Sequence, residues 1–210
     1  MAMTNPDLVL VGRSSSHFTR TARLFALDLG VPHAFRPVLD MTTFDPAAYA
    51  ENPALKVPIL LDAQGPLFGT ENICRELARR SGRGDRVVLR GDVGDRLVAN
   101  AEELILHAMS AEVTLILTAL AGQDRAPPPK LRRSLENALA FLDTNLEGVL
   151  AALPADRLLS FCETALFCVV THLPWRKVMD VDGYQRLLAF CQVFGERASA
   201  RATEYRFDAA

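Results

Sequence analysis

The stretch Lys56-Val57-Pro58-Ile59-Leu60, followed by Glu71-Asn72-Ile73, constrains this chain more than any other. A Val-Pro step opens a short apolar run, and an acid-amide pair stands just ahead of a helical pattern. An X-Pro bond is the one peptide link that adopts the cis form at small cost. At the head of a strand, a cis proline turns the preceding backbone N–H and C=O outward, free to pair with a ligand. The start of the next helix adds unpaired N–H groups and positive partial charge, a setting for a carboxylate. Together they suit an extended anionic peptide. An isolated Val-Pro is more often a trans bond on an edge strand, so the rest of the chain must decide.

Around this stretch the pattern alternates. Leu8-Val9-Leu10-Val11-Gly12 reads as a buried strand, and residues 19–29 as a helix stopped by Gly30 with Pro32 beyond it. Residues 34–39 form a weaker strand. Residues 58–62 and 66–69 pair as a hairpin around Ala63-Gln64-Gly65, and residues 72–80 are helical up to Ser81-Gly82. Residues 83–92, rich in Gly, Arg and Asp, read as a linker. Beyond it every long segment has helical period. Leu97, Ala101, Leu104, Ile105 and Ala108 form one stripe of a long helix. Ala126-Pro127-Pro128-Pro129 breaks the chain, and helices follow over 131–153, 160–173 and 184–199. Ser160 and Glu163 fit a capping box ahead of an apolar run, which assigns them to stability rather than chemistry.

This order predicts two domains. Residues 1–82 form an α/β thioredoxin-like domain with a mixed four-stranded sheet and a cis-proline. After the linker, 83–92, residues 93–210 form an all-α helical bundle. A chain of 210 residues that is 50% hydrophobic can bury such cores. Its net charge of −2, without a basic stripe, argues against nucleic acid as a partner. No apolar run reaches the length needed to span a bilayer, so no membrane partner is expected. Met1 to Asp7 lacks the regions of a signal peptide, so the cytoplasm is the expected compartment. Cys74, Cys162, Cys168 and Cys191 lie in apolar helical patterns without ligand spacing; they read as buried small hydrophobes, and no metal is expected.

With these elements in place, the chain resembles the glutathione transferase family, in its bacterial, serine-type form, nearly from end to end. The resemblance is carried by Asn52-Pro53-Ala54-Leu55-Lys56-Val57-Pro58-Ile59-Leu60, by Glu71-Asn72-Ile73 and by Ser160-Phe161-Cys162-Glu163-Thr164-Ala165. Arg186-Leu187-Leu188-Ala189-Phe190 and residues 196–203 are similar to that family's C-terminus. The resemblance implies glutathione as co-substrate, a homodimer, and a hydroxyl or thiol at the first helix that activates the glutathione sulfur. Aligned on Phe18 and Arg23, the stretch from Arg13 resembles the Ser-Pro-Phe or Cys-Pro-Phe stretch of serine- and cysteine-type members. Ser16 then holds the catalytic position and His17 replaces the usual proline. Ser14 and Ser15 compete with Ser16 if the loop is shifted by a residue.

By the same resemblance, Val57, with Pro58 cis, pairs its backbone with the cysteinyl part of glutathione. Glu71 takes the γ-glutamyl ammonium, and Asn72 with the helix start takes its carboxylate, at a position where the family usually has serine. Lys56 faces the glycyl carboxylate, or is a solvated lysine. Arg13, His107, Met109 and Glu112 are candidates for the electrophile site, and Trp175 packs a helix end. The chemistry implied is thiolate attack on a small electrophile. Isomerisation or dehalogenation would use the same thiolate. A non-catalytic binding or regulatory protein on the same fold is the alternative, kept open by His17 and Asn72.

Overall fold

The structure, a computed structural model, describes residues 7–121 and 128–209. The first part runs β1 (Val9–Gly12), α1 (His17–Asp28), β2 (Ala34–Pro37), β3 (Ile59–Asp62), β4 (Gly65–Phe68) and α2 (Thr70–Ser81). The strands form one sheet in the order β2-β1-β3-β4. β1 and β2 are parallel, joined through α1, while β1–β3 and β3–β4 are antiparallel. This is the mixed four-stranded thioredoxin-like sheet that the sequence predicts, and Val57–Pro58 is cis. Both faces of the sheet are covered. Leu10 and Leu60 pack with Phe25, Ile73 and Leu77 under α1 and α2, while Val11 and Ile59 meet Val38 and Tyr49 on the other side.

The helical part holds α3 (Arg96–Leu120), α4 (Pro129–Ala152), α5 (Phe161–Trp175), α6 (Gln185–Gly195) and α7 (Ala198–Ala202). Residues 83–92 are more than a linker: a 3-10 turn leads into β5 (Val87–Val88), which pairs in parallel with β6 (Leu159–Ser160). The segment read as one helix over 184–199 is two, α6 and α7, broken at Glu196-Arg197. Of the Ala126–Pro129 break, Ala126 and Pro127 lie outside the described residues; Pro128 precedes α4 and Pro129 is its first residue, where a missing N–H costs nothing.

α3 is long and apolar enough to cross a membrane by length and composition, with a mean hydropathy of 1.5 over its best window. That corrects the reading that no apolar run reaches the length needed to span a bilayer. Here α3 packs against α4 and α5, with Val98, Ala101, Ile105, Ala108 and Met109 buried. All four cysteines are buried and free. Burial pushes the thiols of Cys162 and Cys191 up to about 12 and that of Cys168 to about 11, so they stay protonated and inert.

Two ion-paired sites fix helix ends. Ser160 caps α5: its hydroxyl accepts from the Glu163 N–H at 3.1 Å and donates to the Glu163 carboxylate at 2.6 Å. The return arm differs from the simple capping box. The Ser160 backbone is paired with Val88 in the β5–β6 ladder, and the Glu163 carboxylate is also held by Arg157 at 2.7 and 2.9 Å. Ser160→Ala should therefore lower stability by about 1–2 kcal/mol, read as a lower urea midpoint; an unchanged midpoint would count against the cap.

On α2, Glu76 binds Arg79 at 2.7 Å and Arg80 at 2.5 Å, and Arg80 also pairs with Asp62 at the end of β3. The hydrogen bonds from Arg79 and then Arg80 pull the Glu76 carboxyl down to about 2 from 4.5. A depressed folded-state value means that the stabilisation is present above the unfolded value and fades as pH falls through the folded one. Glu76→Gln should flatten the dependence of the denaturation midpoint on pH between about 4.5 and 2. Equal slopes for the two proteins would mean that the pairs add nothing to stability.

Candidate functional site

Strand register gathers three chain segments at one end of the sheet. Val11 pairs with Ile59, and Ile59 with Phe68. Just beyond this row, the chain leaves β1 at Gly12 for the loop to α1, enters β3 through Val57-Pro58, and leaves β4 at Gly69 for α2. Gly12 allows the first exit, because a Cβ there would lie 2.4 Å from the Thr19 side chain. Gly69 allows the last, at a φ of +89°, a region that side chains rarely adopt.

This end of the sheet offers free hydrogen-bonding groups. Gly69 gives α2 no side-chain cap, and the N–H groups of Glu71 and Asn72 have no partner among the described residues. The same is true of the Val57 backbone N–H and C=O. Asn52 shapes the approach to them, donating from its amide to the Lys56 carbonyl at 2.8 Å and accepting from the Ala54 N–H at 3.0 Å. Asn72 is exposed and spends one amide proton on the Phe68 carbonyl at 3.0 Å, which leaves one for a ligand. Glu71 is half-buried, 3.8 Å from Arg90. The Lys56 side chain is exposed and makes no ion pair among the described residues.

The loop before α1 sorts its three serines. Ser14 is buried, its N–H donating to Asp208 at 2.8 Å and its hydroxyl accepting from Arg23 at 3.3 Å. It is not free to meet a ligand. Ser15 and Ser16 are both half-buried. Ser16 is the N-cap of α1, where its oxygen accepts from the Thr19 N–H at 3.2 Å. That leaves its hydroxyl proton free to donate. Capping and donation to a ligand are therefore compatible uses of one hydroxyl.

Behind this loop lies a buried polar cluster. His17, the first residue of α1, Glu112 of α3 and His172 of α5 are 1%, 0% and 2% exposed. The Nδ1 atoms of His17 and His172 stand 3.0 Å apart, and His172 Nδ1 is 2.7 Å from Glu112 Oε1. The other ring nitrogens face backbone carbonyls: His17 Nε2 that of Met109 at 3.2 Å, His172 Nε2 that of Ser15 at 2.9 Å. The cluster thus ties both sides of Ser16 to the helical domain. Burial holds the His17 imidazole neutral, its pKa well below 6.5, with the neighbouring His172 adding to the effect; burial raises that of the Glu112 carboxyl.

The four electrophile candidates are not brought together. Glu112 and Met109 are 0% exposed and sit in the core, so neither presents a side chain to a small molecule; Met109 serves through its carbonyl. His107 bonds Ser134 at 3.0 Å and lines a hollow of about 510 Å³ between α3 and α4, with Leu104 and Phe141. A second hollow, of about 390 Å³, is lined by Arg20, Phe167 and α6–α7 residues. Neither touches Ser16, Val57 or Asn72. Arg13 stays at the loop, half-buried, with its N–H donating to Thr19 Oγ1 at 3.3 Å.

His172 escaped the sequence reading because it stands beside Thr171, just past the apolar run of α5, where nothing local marks a histidine as buried. The C-terminal tail was missed as well. Asp208 reaches Ser14, and Tyr205 and Phe207 pack against Trp175 at the end of α5 with ring centroids 5.3 and 5.1 Å apart.

Compared with known proteins, residues 10–84 match the family model described as glutathione S-transferase, N-terminal domain. No curated protein matches the chain significantly. Among solved structures, a glutathione S-transferase from Methylobacillus flagellatus with glutathione bound superposes with a TM-score of 0.79 at 20% identity, covering 95% of this chain and 100% of that one. One from Methylobacterium radiotolerans in complex with glutathione sulfonate gives 0.75 at 19%, covering 97% of each. A glutathione transferase family member from Pseudomonas fluorescens with bound glutathione gives 0.72 at 21%, covering 95% and 99%.

Proposed function

We propose, for a chain whose residues 10–84 match the glutathione S-transferase N-terminal domain model and whose fold is shared with solved glutathione S-transferases, that it binds glutathione and activates its thiol for attack on a small electrophile. The observation that carries this reading is the uncapped start of α2 opposite the unpaired backbone of Val57, at the sheet end where Ser16 begins α1. The structures from Methylobacillus flagellatus and Pseudomonas fluorescens hold glutathione on this fold and lend it support.

In this reading each charged end of glutathione meets an opposite partner. The γ-glutamyl carboxylate lies on the free N–H groups of α2 and the spare Asn72 amide proton, and Glu71 takes the ammonium. Val57 pairs with the cysteinyl backbone, and Lys56 balances the glycyl carboxylate. The thiol then lies toward the start of α1. Thiol deprotonation is the chemical step: the proton leaves sulfur for solvent, and the Ser16 hydroxyl donates to the thiolate while the helix N-terminus adds positive potential. The thiolate forms a C–S bond: a haloarene expels halide, while the alkoxide of an opened epoxide or the enolate of an enal takes a proton from solvent. An activity screen over haloarenes, epoxides and enals, with and without glutathione, tests this. Turnover that needs glutathione supports it; none across the panel, with glutathione bound, favours a non-catalytic binding protein.

We further propose a homodimer, with the first domain of one subunit against the helical domain of the other. Sedimentation at micromolar concentration should give twice the monomer mass, since assembly follows mass action. A monomer throughout would contradict it.

A further inference from the structure

We propose that His17, Glu112 and His172 form a closed site for one divalent transition-metal cation of the zinc class, which staples the start of α1 to α3 and α5 beneath the Ser16 loop. Among the described residues, these three are the one group of metal-ligating side chains whose donor atoms all lie within 4.8 Å of one another. They come from three helices, so no spacing in the sequence reveals them.

Proton accounting favours a cation. A carbonyl only accepts, so the contacts to Met109 and Ser15 fix a proton on Nε2 of each ring. The neutral rings then point both Nδ1 lone pairs at each other, 3.0 Å apart, and at a carboxylate. One shared proton can bridge His172 Nδ1 and Glu112 Oε1, 2.7 Å apart. It leaves His17 Nδ1 and Glu112 Oε2 as two buried acceptors facing each other at 3.5 Å, and Oε2 has no hydrogen-bond partner. Protonating both rings instead places two imidazolium ions side by side in the core. A cation accepts electron pairs from all of these atoms at once.

The geometry fits. Zinc–nitrogen bonds of about 2.0–2.1 Å in a tetrahedral site set donor atoms about 3.3 Å apart. The observed separations of 2.7, 3.0 and 3.5 Å bracket that value. Each histidine donates its far N–H to a backbone carbonyl, the arrangement that orients metal-bound imidazoles. Two imidazoles and a carboxylate, with no thiolate, suit zinc, cobalt or iron over copper(I), and nitrogen donors disfavour calcium and magnesium. The second Glu112 oxygen makes a bidentate contact that distorts the tetrahedron, and burial leaves no position open to solvent, so the role is structural. The inference does not depend on glutathione binding.

The test uses the full chain, refolded from denaturant with zinc(II) or cobalt(II) so that access to the core is not limiting, and then gel-filtered. About one equivalent should be retained. The cobalt form should show visible absorption typical of a four-coordinate nitrogen–oxygen site, and X-ray absorption of the zinc form should show two imidazoles. The thermal midpoint should rise by several degrees over metal-free protein. Glu112→Gln and His172→Gln should lose the metal, while His33→Gln and His107→Gln keep it. If the cluster variants do not fold, the spectra of the wild type decide. Refolded wild type without stoichiometric metal, or metal with no imidazole ligands, overturns the proposal; so does uptake unchanged in folded Glu112→Gln.

Discussion

Replacing Ser16 by alanine should lower kcat/KM for glutathione conjugation by roughly 10-fold or more, up to about 100-fold. If the hydroxyl and helix start together lower the thiol pKa by about 2 units, they supply about 2.7 kcal/mol, and most of it is lost with the hydroxyl. Ser16 also caps α1 through the Thr19 N–H, so the alanine variant should lose about 1 kcal/mol of stability. Glycine separates the two roles, because it replaces a serine cap at a cost of only a few tenths of a kcal/mol. Ser16→Gly should be as slow as Ser16→Ala and nearly as stable as the wild type. Steady-state kinetics beside urea denaturation checks both. Full activity in both variants, with loss in Ser15→Ala, would move the role one residue back. Ser14 is already occupied by Asp208 and Arg23.

The second large effect belongs to Glu71. Its removal should weaken glutathione binding by about 1.5–3 kcal/mol, the range for a hydrogen bond to a charged group, or roughly 10- to 150-fold in Kd. Arg90, 3.8 Å away, competes for the Glu71 carboxylate in the free protein, and both side chains are about a third exposed, which points to the lower half of that range. Asn72→Ser should act in the opposite direction. Serine removes the amide that now bonds the Phe68 carbonyl, and its smaller hydroxyl leaves more room over the free N–H groups of α2. Equal affinity in the wild type and Glu71→Ala would remove Glu71 from the site.

Much of the fold was legible because its signals are local. The buried run before Gly12, the Val57-Pro58 step and the helical periods beyond residue 93 each specify an element from a few neighbouring residues. β5 was not legible: it is two residues long, and its partner lies some seventy positions away in β6. α6 and α7 merged in the reading because apolar residues continue across the break at Glu196-Arg197. For the site, the features set by backbone position were legible, namely the α1 start at Ser16 and the α2 start at Glu71-Asn72. What was not legible depends on packing between helices. Met109 and Glu112 extend the α3 stripe, four residues beyond Ile105 and Ala108 respectively, so their burial was legible; what was not is that α1 and α5 supply polar partners for a core glutamate. His172 gains its meaning from His17, 155 residues earlier.

The most direct test of the central claim is a calorimetric titration of the wild-type chain with glutathione up to millimolar concentration. The predicted result is a saturable heat with one site per chain, weakened in Glu71→Ala and strengthened in Asn72→Ser. No saturable heat with any of the three proteins would contradict the claim that the free groups of Val57 and of the α2 start form a glutathione site.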